Sequence, residues 1–555
     1  MFLFTIIIYI SSISVTIRRD VSILLSRTAV IILTCCLQIS VYVFDFFHLI
    51  NKLGIFNGLF HISHITQIFK SFIFIISSVI LLLTSFYPRK YIKDNIINIK
   101  SETLNEDNEI TNKKYLKIID FLPFIKNKMS EQFRIIEYSL IVMLTLIGTI
   151  LLMSTSDFVS LFLCIELQSY GLYLICSLYK NSELATSAGL TYFLLGGLAS
   201  CFILLGAALL YSNSANVNLD GLYIITNISN IIVDNINRVP WYLPNYITYS
   251  LLILTIGLLF KISAAPFHIW SPDVYDNVPT IVTTFIALIP KLSILIFMLE
   301  LVHYTSNILI DYGYTWISGL LLSALLSLII GTVLGLTQSR IKRLFAYSTI
   351  SHLGFILLAL SVNSIESNQS FIFYLIQYTV SNLNAFIILL AMGYGLFFYI
   401  SDNIDYNKLQ DKNNSPIQLT NQIKGYHDLN PILALSLGIT LFSFAGIPPL
   451  IGFFAKQMVL SSALDKGYVF LVLIAILTSV ISAVYYLGLI KRMYFDKHEY
   501  TVIKSGKYNI NNIVLSNYLT ITISTITILM LLFIIVPQEF LNMSNILTLV
   551  IYTSS

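Results

Sequence analysis

The chain has 555 residues, of which 56% are apolar and only 11% charged, and its net charge is +4. Soluble domains carry roughly a quarter charged residues, so these charges cannot cover a water-facing surface of this size. A soluble fold is excluded, and so small a positive excess gives no reason to expect nucleic acid as a partner.

Apolar runs of about 20 residues, the length a transmembrane helix needs, recur from Phe2 to Val536. They start near residues 2, 28, 71, 136, 157, 187, 247, 279, 315, 341, 369, 431, 468 and 514, roughly fourteen spans in all. The runs are apolar all round rather than alternating, which argues for helices and against a β-barrel. The expected fold is all-α, a polytopic membrane helix bundle.

The opening MFLFTIIIYISSISVTIRRD is apolar first and basic afterwards, the reverse of a secretory leader, and reads as the first span. Three spans fill residues 1–87, and a Lys- and Asn-rich insert follows at 88–134. Two further polar inserts, at 212–246 and 401–428, interrupt the apolar sequence later. All three read as loops that decorate a compact bundle, for solvation or contact with neighbouring subunits. The last span and a short tail occupy 496–555, with room for an amphipathic helix over 537–553.

Basic residues sort between alternate loops. One set holds Arg18 and Arg19, the cluster from Arg89 to Arg134, Lys180, Arg340, Lys342, Arg343, Lys408, Lys412, Lys424 and the run from Lys491 to Lys507. The other holds little beyond Lys52, Lys70, Arg238 and Lys466. The positive-inside rule places the first set in the cytoplasm or mitochondrial matrix and both termini on the opposite side. Abundant Ile, Asn, Tyr and Phe suggest AT-rich codons, and with no transit presequence evident this points to an organelle-encoded chain.

Cys35, Cys36, Cys164, Cys176 and Cys201 all fall inside expected spans without metal or redox spacing, so they read as packing residues. His48, His61 and His64 cluster near one loop, but no Cys or carboxylate stands at ligand spacing, so no metal site is expected. No phosphate loop or haem motif appears, and no redox cofactor is expected in this chain.

Two pairs of segments show an internal repeat. LFKISAAPF (259–267) lies against LFSFAGIPP (441–449), an offset of 441 − 259 = 182, and LFLCIELQSYGLYLI (161–175) lies against LFAYSTISHLGFILL (344–358), an offset of 344 − 161 = 183. They imply a five-helix unit at 135–303, repeated at 304–495; an odd number of helices inverts the second copy. In the first alignment Ser443 stands opposite Lys261. Proline supplies the breaks: Pro266 must open the helix at Ile262, Pro448 and Pro449 do so at Phe444 and Ala445, and Pro290 is expected to do so just before Lys291. Open backbone at membrane depth is tolerated only inside protein or against a wet cavity, so the breaks mark hydrated regions.

Glu166, Lys261, Lys291 and Lys456 sit within otherwise apolar helices. Each costs about 3 kcal/mol or more at the bilayer centre, and such residues usually face the bundle interior and a pathway. The plainer reading is a snorkelling side chain or a structural ion pair, and it suits Lys456, nearest its span's exit, better than Lys261 or Lys291. Burial disfavours a charged ammonium and a nearby carboxylate favours it, so a Glu–Lys pair of changing hydration can load and release a proton. His268, His352, Tyr347 and Ser351 add groups able to carry protons or hold water. Glu300 and His303 lie toward the end of their span and read as interfacial.

IELQSYGLY, KISAAPFHIWSPDVYDNVPT, LIPKL, RIKRLFAYSTISHLGF and GIPPLIGFFAKQ, in that order, resemble the antiporter-like subunits of the respiratory NADH-quinone oxidoreductase, complex I. The resemblance runs from about residue 136 to 495 and is nearest to the chain 2 branch, chain N in bacteria. It implies fourteen transmembrane helices, two inverted five-helix repeats and breaks in the seventh and twelfth helices. Carried over by motif, Glu166 resembles the family's glutamate on helix five, Lys261 its partner on helix seven, Lys291 the central lysine of helix eight and Lys456 the terminal lysine of helix twelve. His268 and Lys342 resemble accessory members of the same polar axis, and the chemistry of His352 and Tyr347 suits them to it as well. The three long inserts depart from the family pattern.

The resemblance further implies a mitochondrial inner-membrane subunit that moves protons while FMN, iron–sulfur clusters and ubiquinone do their chemistry in other subunits. Expected partners are the antiporter-like subunit 4, small membrane subunits and lipid. A short tail after Val536 and a lysine at 456 favour chain 2 over its sister subunits. A stand-alone multi-subunit cation/proton antiporter would share the same helices and lysines, and a structural membrane scaffold is the third reading.

Overall fold

The computed structural model describes residues 2–15, 21–46, 53–84, 137–180, 182–225, 244–305, 316–396, 400–401, 415, 417–497, 500–501 and 517–553. The insert at 88–134 and most of the loop charges used to assign sidedness lie outside the described residues.

The expected all-α bundle is what the chain forms. Its helices are α1 (Phe2–Val15), α2 (Val21–Phe46), α3 (His64–Thr84), α4 (Glu137–Leu152), α5 (Phe158–Ser177) and α6 (Glu183–Ser214). Then come α7 (Pro244–Ile262), α8 (Trp270–Asn277), α9 (Thr280–Thr305), α10 (Trp316–Leu336), α11 (Ile341–Val362) and α12 (Ile365–Leu396). The chain closes with α13 (Pro431–Ala445), α14 (Ile451–Asp465), α15 (Val469–Tyr494), α16 (Asn517–Leu532) and α17 (Pro537–Thr553).

Among the described residues 9 helices are long and apolar enough to cross a membrane, or 10 with α16 and α17, which bend by 92° at their junction, taken as one span. The shorter α1 and α4 and the two interrupted pairs, α7–α8 and α13–α14, supply the rest of the roughly fourteen. Helix α17 covers the tail segment expected to be helical, and Gln369 Nε2 of α12 donates to its Leu541 carbonyl at 3.2 Å.

Helices α9 and α11 are buried on nearly all sides, whereas α6, α10 and α15 turn outward a face of Leu194, Leu204, Leu322, Val333, Phe470 and Val480. That inversion, with apolar side chains outermost, is the solution for a lipid solvent. Cys201 also lies on the outer face of α6, so it is not the interior packing residue its span suggested. A short hairpin, Leu53–Ile55 with Phe60–Ile62, and a long-range antiparallel pair, Ile400–Ser401 with Tyr500–Thr501, add strands to the loops.

The two breaks share one backbone device. In the first, Ser263 takes φ +68°, Ser263 N–H donates to Phe260 O at 3.2 Å and Ala264 N–H to Leu259 O at 3.0 Å. In the second, Gly446 takes φ +82°, its N–H donates to Ser443 O at 3.2 Å and Ile447 N–H to Phe442 O at 3.1 Å. This is the left-handed C-terminal cap that stops a helix and satisfies its last carbonyls. Each break also holds a cis X-Pro peptide bond, Ala265–Pro266 and Pro448–Pro449. Equivalent atoms differ by 446 − 263 = 183 residues, the offset of the second sequence match. The 182-residue alignment follows the shared Leu-Phe letters, but the backbone register sets Phe444, not Ser443, against Lys261.

Two further expectations are corrected. Pro290 does not open α9, which runs unbroken from Thr280 to Thr305. A proline deletes one helical donor, and here tight packing on every side holds the helix together around it. The end of the third insert is not mere decoration: Ser415, Ile417, Gln418, Thr420, Ile423 and Tyr426 are buried. Ser415 and residues 417–429 form a strap in which Ile341 N–H donates to Gln418 O at 2.9 Å, Thr420 N–H to Ser339 O at 2.9 Å and Gly425 N–H to Arg492 O at 3.0 Å. Backbone pairing with the start of α11 and the end of α15 gives this polar stretch a fixed place.

Candidate functional site

Helix α5 carries Glu166 and, two turns later on the same face, Tyr173. Lys261, in the last turn of α7, points its ammonium at both: Nζ lies 3.8 Å from Glu166 Oε1 and 3.2 Å from Tyr173 Oη. The expected pair is thus brought together across 95 residues of chain (261 − 166). At about 4 Å and an effective dielectric near 20 two unit charges attract by about 4 kcal/mol. Gly196 of α6 makes the geometry possible, since a Cβ there would stand 1.8 Å from Tyr173 Oη.

Lys291 is buried at 1% exposure in the centre of α9. Its Nζ donates to Thr349 Oγ1 of α11 at 3.4 Å and lies 5.4 Å from the centroid of the Tyr275 ring. A nearby bond, Ser293 Oγ to Gln168 Oε1 at 3.4 Å, ties α9 to α5 two residues from Glu166. A hydroxyl and an aromatic face therefore meet an ammonium that, among the described residues, has no carboxylate within ion-pair distance.

From Thr349, α11 leads at i+3 to His352, and a further i+3 on to the ring of Phe355. His352 is buried, with Nδ1 2.8 Å from Tyr374 Oη and Nε2 3.2 Å from Tyr486 Oη. The Phe355 ring lies beneath Lys456, whose Nζ is 5.6 Å from its centroid. Lys456 donates to the carbonyls of Phe444 and Ala445, each at 2.9 Å. These are C-terminal carbonyls of α13, where a helix leaves acceptors without intrahelical donors and favours a cation. Gly446 keeps the approach open: a Cβ there would meet Lys456 Cδ at 3.0 Å.

Of the accessory residues, His268 and Tyr347 come together, with ring centroids 6.5 Å apart in the first break. Tyr347 lies on α11 two residues before Thr349, and Ser351 Oγ donates back to Ser348 O at 2.8 Å. Lys342 sits elsewhere than expected: its buried Nζ donates to Asp276 O at 3.0 Å, Val278 O at 2.6 Å and Ser415 Oγ at 2.7 Å, at the end of α8. Glu300 meets the first hairpin, its Oε1 3.2 Å from His61 Nε2; His48 lies outside the described residues.

The site also contains groups that the sequence reading missed: Tyr173, Thr349, Trp270, Tyr374, Tyr486 and the main-chain oxygens of Phe444 and Ala445. Tyr173 was open to detection as the i+7 neighbour of Glu166, and Thr349 as its counterpart in the repeat, 166 + 183 = 349. Backbone acceptors carry no sequence signal.

The family model described as "NADH:quinone oxidoreductase/Mrp antiporter, TM" matches residues 155–482, which include Glu166, Lys261, Lys291 and Lys456. NADH-ubiquinone oxidoreductase chain 2 of Rhizopus oryzae is 41% identical to this chain, over 99% of each. The chain belongs to the NADH-ubiquinone oxidoreductase chain 2 family. NADH-quinone oxidoreductase subunit N of Pelagibacter ubique is 33% identical over 81% of this chain and 87% of its own length. In structure, a chain of respiratory complex I from Thermus thermophilus matches with a TM-score of 0.68 at 22% identity, covering 98% of this chain and 99% of that one. The overall fold is shared at that distance.

Proposed function

We propose that this chain is a proton-translocating membrane-arm subunit of respiratory complex I, NADH:ubiquinone oxidoreductase. Glu166, Lys261, Lys291 and Lys456 carry protons along a buried polar axis, driven by quinone reduction in other subunits. The observation that carries this reading is the succession Glu166–Lys261, Lys291–Thr349, His352 and Lys456 across one protein interior. Each lysine meets an oxygen that accepts a hydrogen bond, and water could link neighbouring groups into a path for protons. The 183-residue register supports treating 135–303 and 304–495 as repeated units flanked by 1–87, the 88–134 insert and 496–555.

The chain acts without a redox centre of its own, while FMN, iron–sulfur clusters and ubiquinone belong to partner subunits. Those partners include antiporter-like subunit 4 and small membrane subunits. Its place is the mitochondrial inner membrane, in an organelle-encoded form, with both termini on the intermembrane-space side.

The family description also names Mrp antiporters, so an antiporter subunit is the second reading. Affinity purification of the tagged chain from membranes separates them. Co-purification with flavin and iron–sulfur subunits and NADH oxidation supports the first; sodium-dependent proton exchange without NADH oxidation overturns it.

A further inference from the structure

The basic run at the start of α11 grips the half-helix that follows the first break. Arg340 Nη1 lies 2.6 Å from Asp276 Oδ2, Lys342 donates to the carbonyls of Asp276 and Val278, and Arg343 pairs with Asp273. Every cation of the RIKR segment thus engages α8 or the residue that ends it. Arg343 and Asp273 are partly exposed, but the Asp276 carboxylate is 6% exposed and Lys342 1%. Buried charges of this kind are retained only with partners. Ser415 of the strap holds Lys342 from the other side at 2.7 Å, and Arg492 of α15 anchors the strap through Thr420.

The other end of α8 reaches the relay. Its first residue, Trp270, donates Nε1–H to Phe260 O at 2.9 Å, the carbonyl immediately before Lys261. Stacking on Tyr192, with ring centroids 4.6 Å apart, fixes the indole plane. In the second break Lys456 plays the corresponding part, reaching back from the second half-helix to terminal carbonyls of the first. In the first break a neutral indole holds a single carbonyl near the helix end, that of Phe260, while Lys261 faces Glu166 and Tyr173.

We infer that Arg340, Lys342 and Arg343 are positioning residues that set the location of Lys261 through α8 and Trp270. Lys342 on this account is a fixed donor rather than a proton carrier. The inference rests on the relay reading of Lys261, and it extends that reading to groups that never touch the moving proton. A misplacement of the acceptor geometry by a fraction of an ångström to 1 Å is costly for a positioned reaction.

Charge exchange in the assembled complex tests it. Asp273→Arg and Arg343→Asp, made singly, should each lower the protons moved per NADH oxidised by membrane vesicles at least about twofold, and the double exchange should restore most of the loss. A merely structural contact would change the amount of complex on native gels without changing the ratio of protons to electrons. Wild-type ratios in both single variants, or a double variant no better than the worse single one, overturn the inference. If either single variant fails to assemble, Trp270→Phe, which keeps the ring and removes the donor, reads the same ratio: a fall supports positioning and an unchanged ratio overturns it. Lys291→Ala in the same vesicles separates the two failures. If it lowers the ratio while the clasp variants do not, the clasp alone is wrong; if it too leaves the ratio unchanged, the relay reading fails.

Discussion

Lys291 donates to Thr349 at 3.4 Å, and Thr349 is the residue that the 183-residue repeat sets against Glu166. The first repeat therefore places a carboxylate at this position on α5, where the second places a hydroxyl on α11. The consequence is an uneven set of lysines. Lys261 has a carboxylate at 3.8 Å, Lys291 a hydroxyl, and Lys456 two main-chain carbonyls. Only the first can share its proton with an acid; a carbonyl accepts a hydrogen bond but cannot keep the proton.

Gly196→Ala is expected to push the Tyr173 hydroxyl off Lys261, because the added methyl would fall 1.8 Å from it. Overpacking of this kind typically costs about 1–3 kcal/mol. Proton uptake by vesicles, normalised to the amount of assembled complex, should fall, and a further change of Tyr173→Phe should add little. Independent, additive losses would contradict the coupling.

The two caps give a matched pair of predictions. Ser263 holds φ +68° with a side chain, a conformation that costs a non-glycine residue roughly 1 kcal/mol. Ser263→Gly should therefore slow thermal inactivation of the complex. Gly446→Ala, at φ +82° and crowded against Lys456, should accelerate it. Half-life at a fixed temperature is the measurement, and like signs for the two variants would refute the shared device.

Gly452 admits the closest backbone contact near the sites, since a Cβ there would stand 1.9 Å from Ser443 O. Backbone cannot yield as a flexible side chain does. Gly452→Ala is expected to separate α14 from α13 and to reduce assembled complex on native gels severely, whereas Gly488→Ala, with open space around it, should assemble normally.

Removing the Lys456 ammonium should leave the carbonyls of Phe444 and Ala445 without that donor. Lys456→Met is expected to destabilise the second break by about 1–3 kcal/mol, and Lys456→Gln, which keeps an N–H donor, by less. Protease cleavage rates across 445–451 rank the variants. Equal resistance in all three proteins would mean that the cap carries no stability.

Much of this architecture was legible in the sequence because lipid imposes long apolar runs and proline punctuates them. Glu166, Lys261, Lys291 and Lys456 stood out because charge is rare in such runs, and the Glu166–Lys261 contact is the one the sequence paired. Pro290 misled because tertiary packing on every side of α9 outweighs one lost donor. The strap at 417–429 reads as loop because its order comes from backbone bonds to α11 and α15, to which side-chain composition is blind. Lys342 belonged by motif to the polar axis, and only its three acceptors reveal its place at the end of α8.

The central claim is that buried lysines carry the protons this complex moves. The most direct measurement is the number of protons translocated per NADH oxidised in membrane vesicles carrying Lys291→Ala, with assembly verified on native gels. The account predicts an assembled complex whose coupled proton transfer is strongly impaired. An assembled complex with the wild-type ratio of protons to electrons would contradict it.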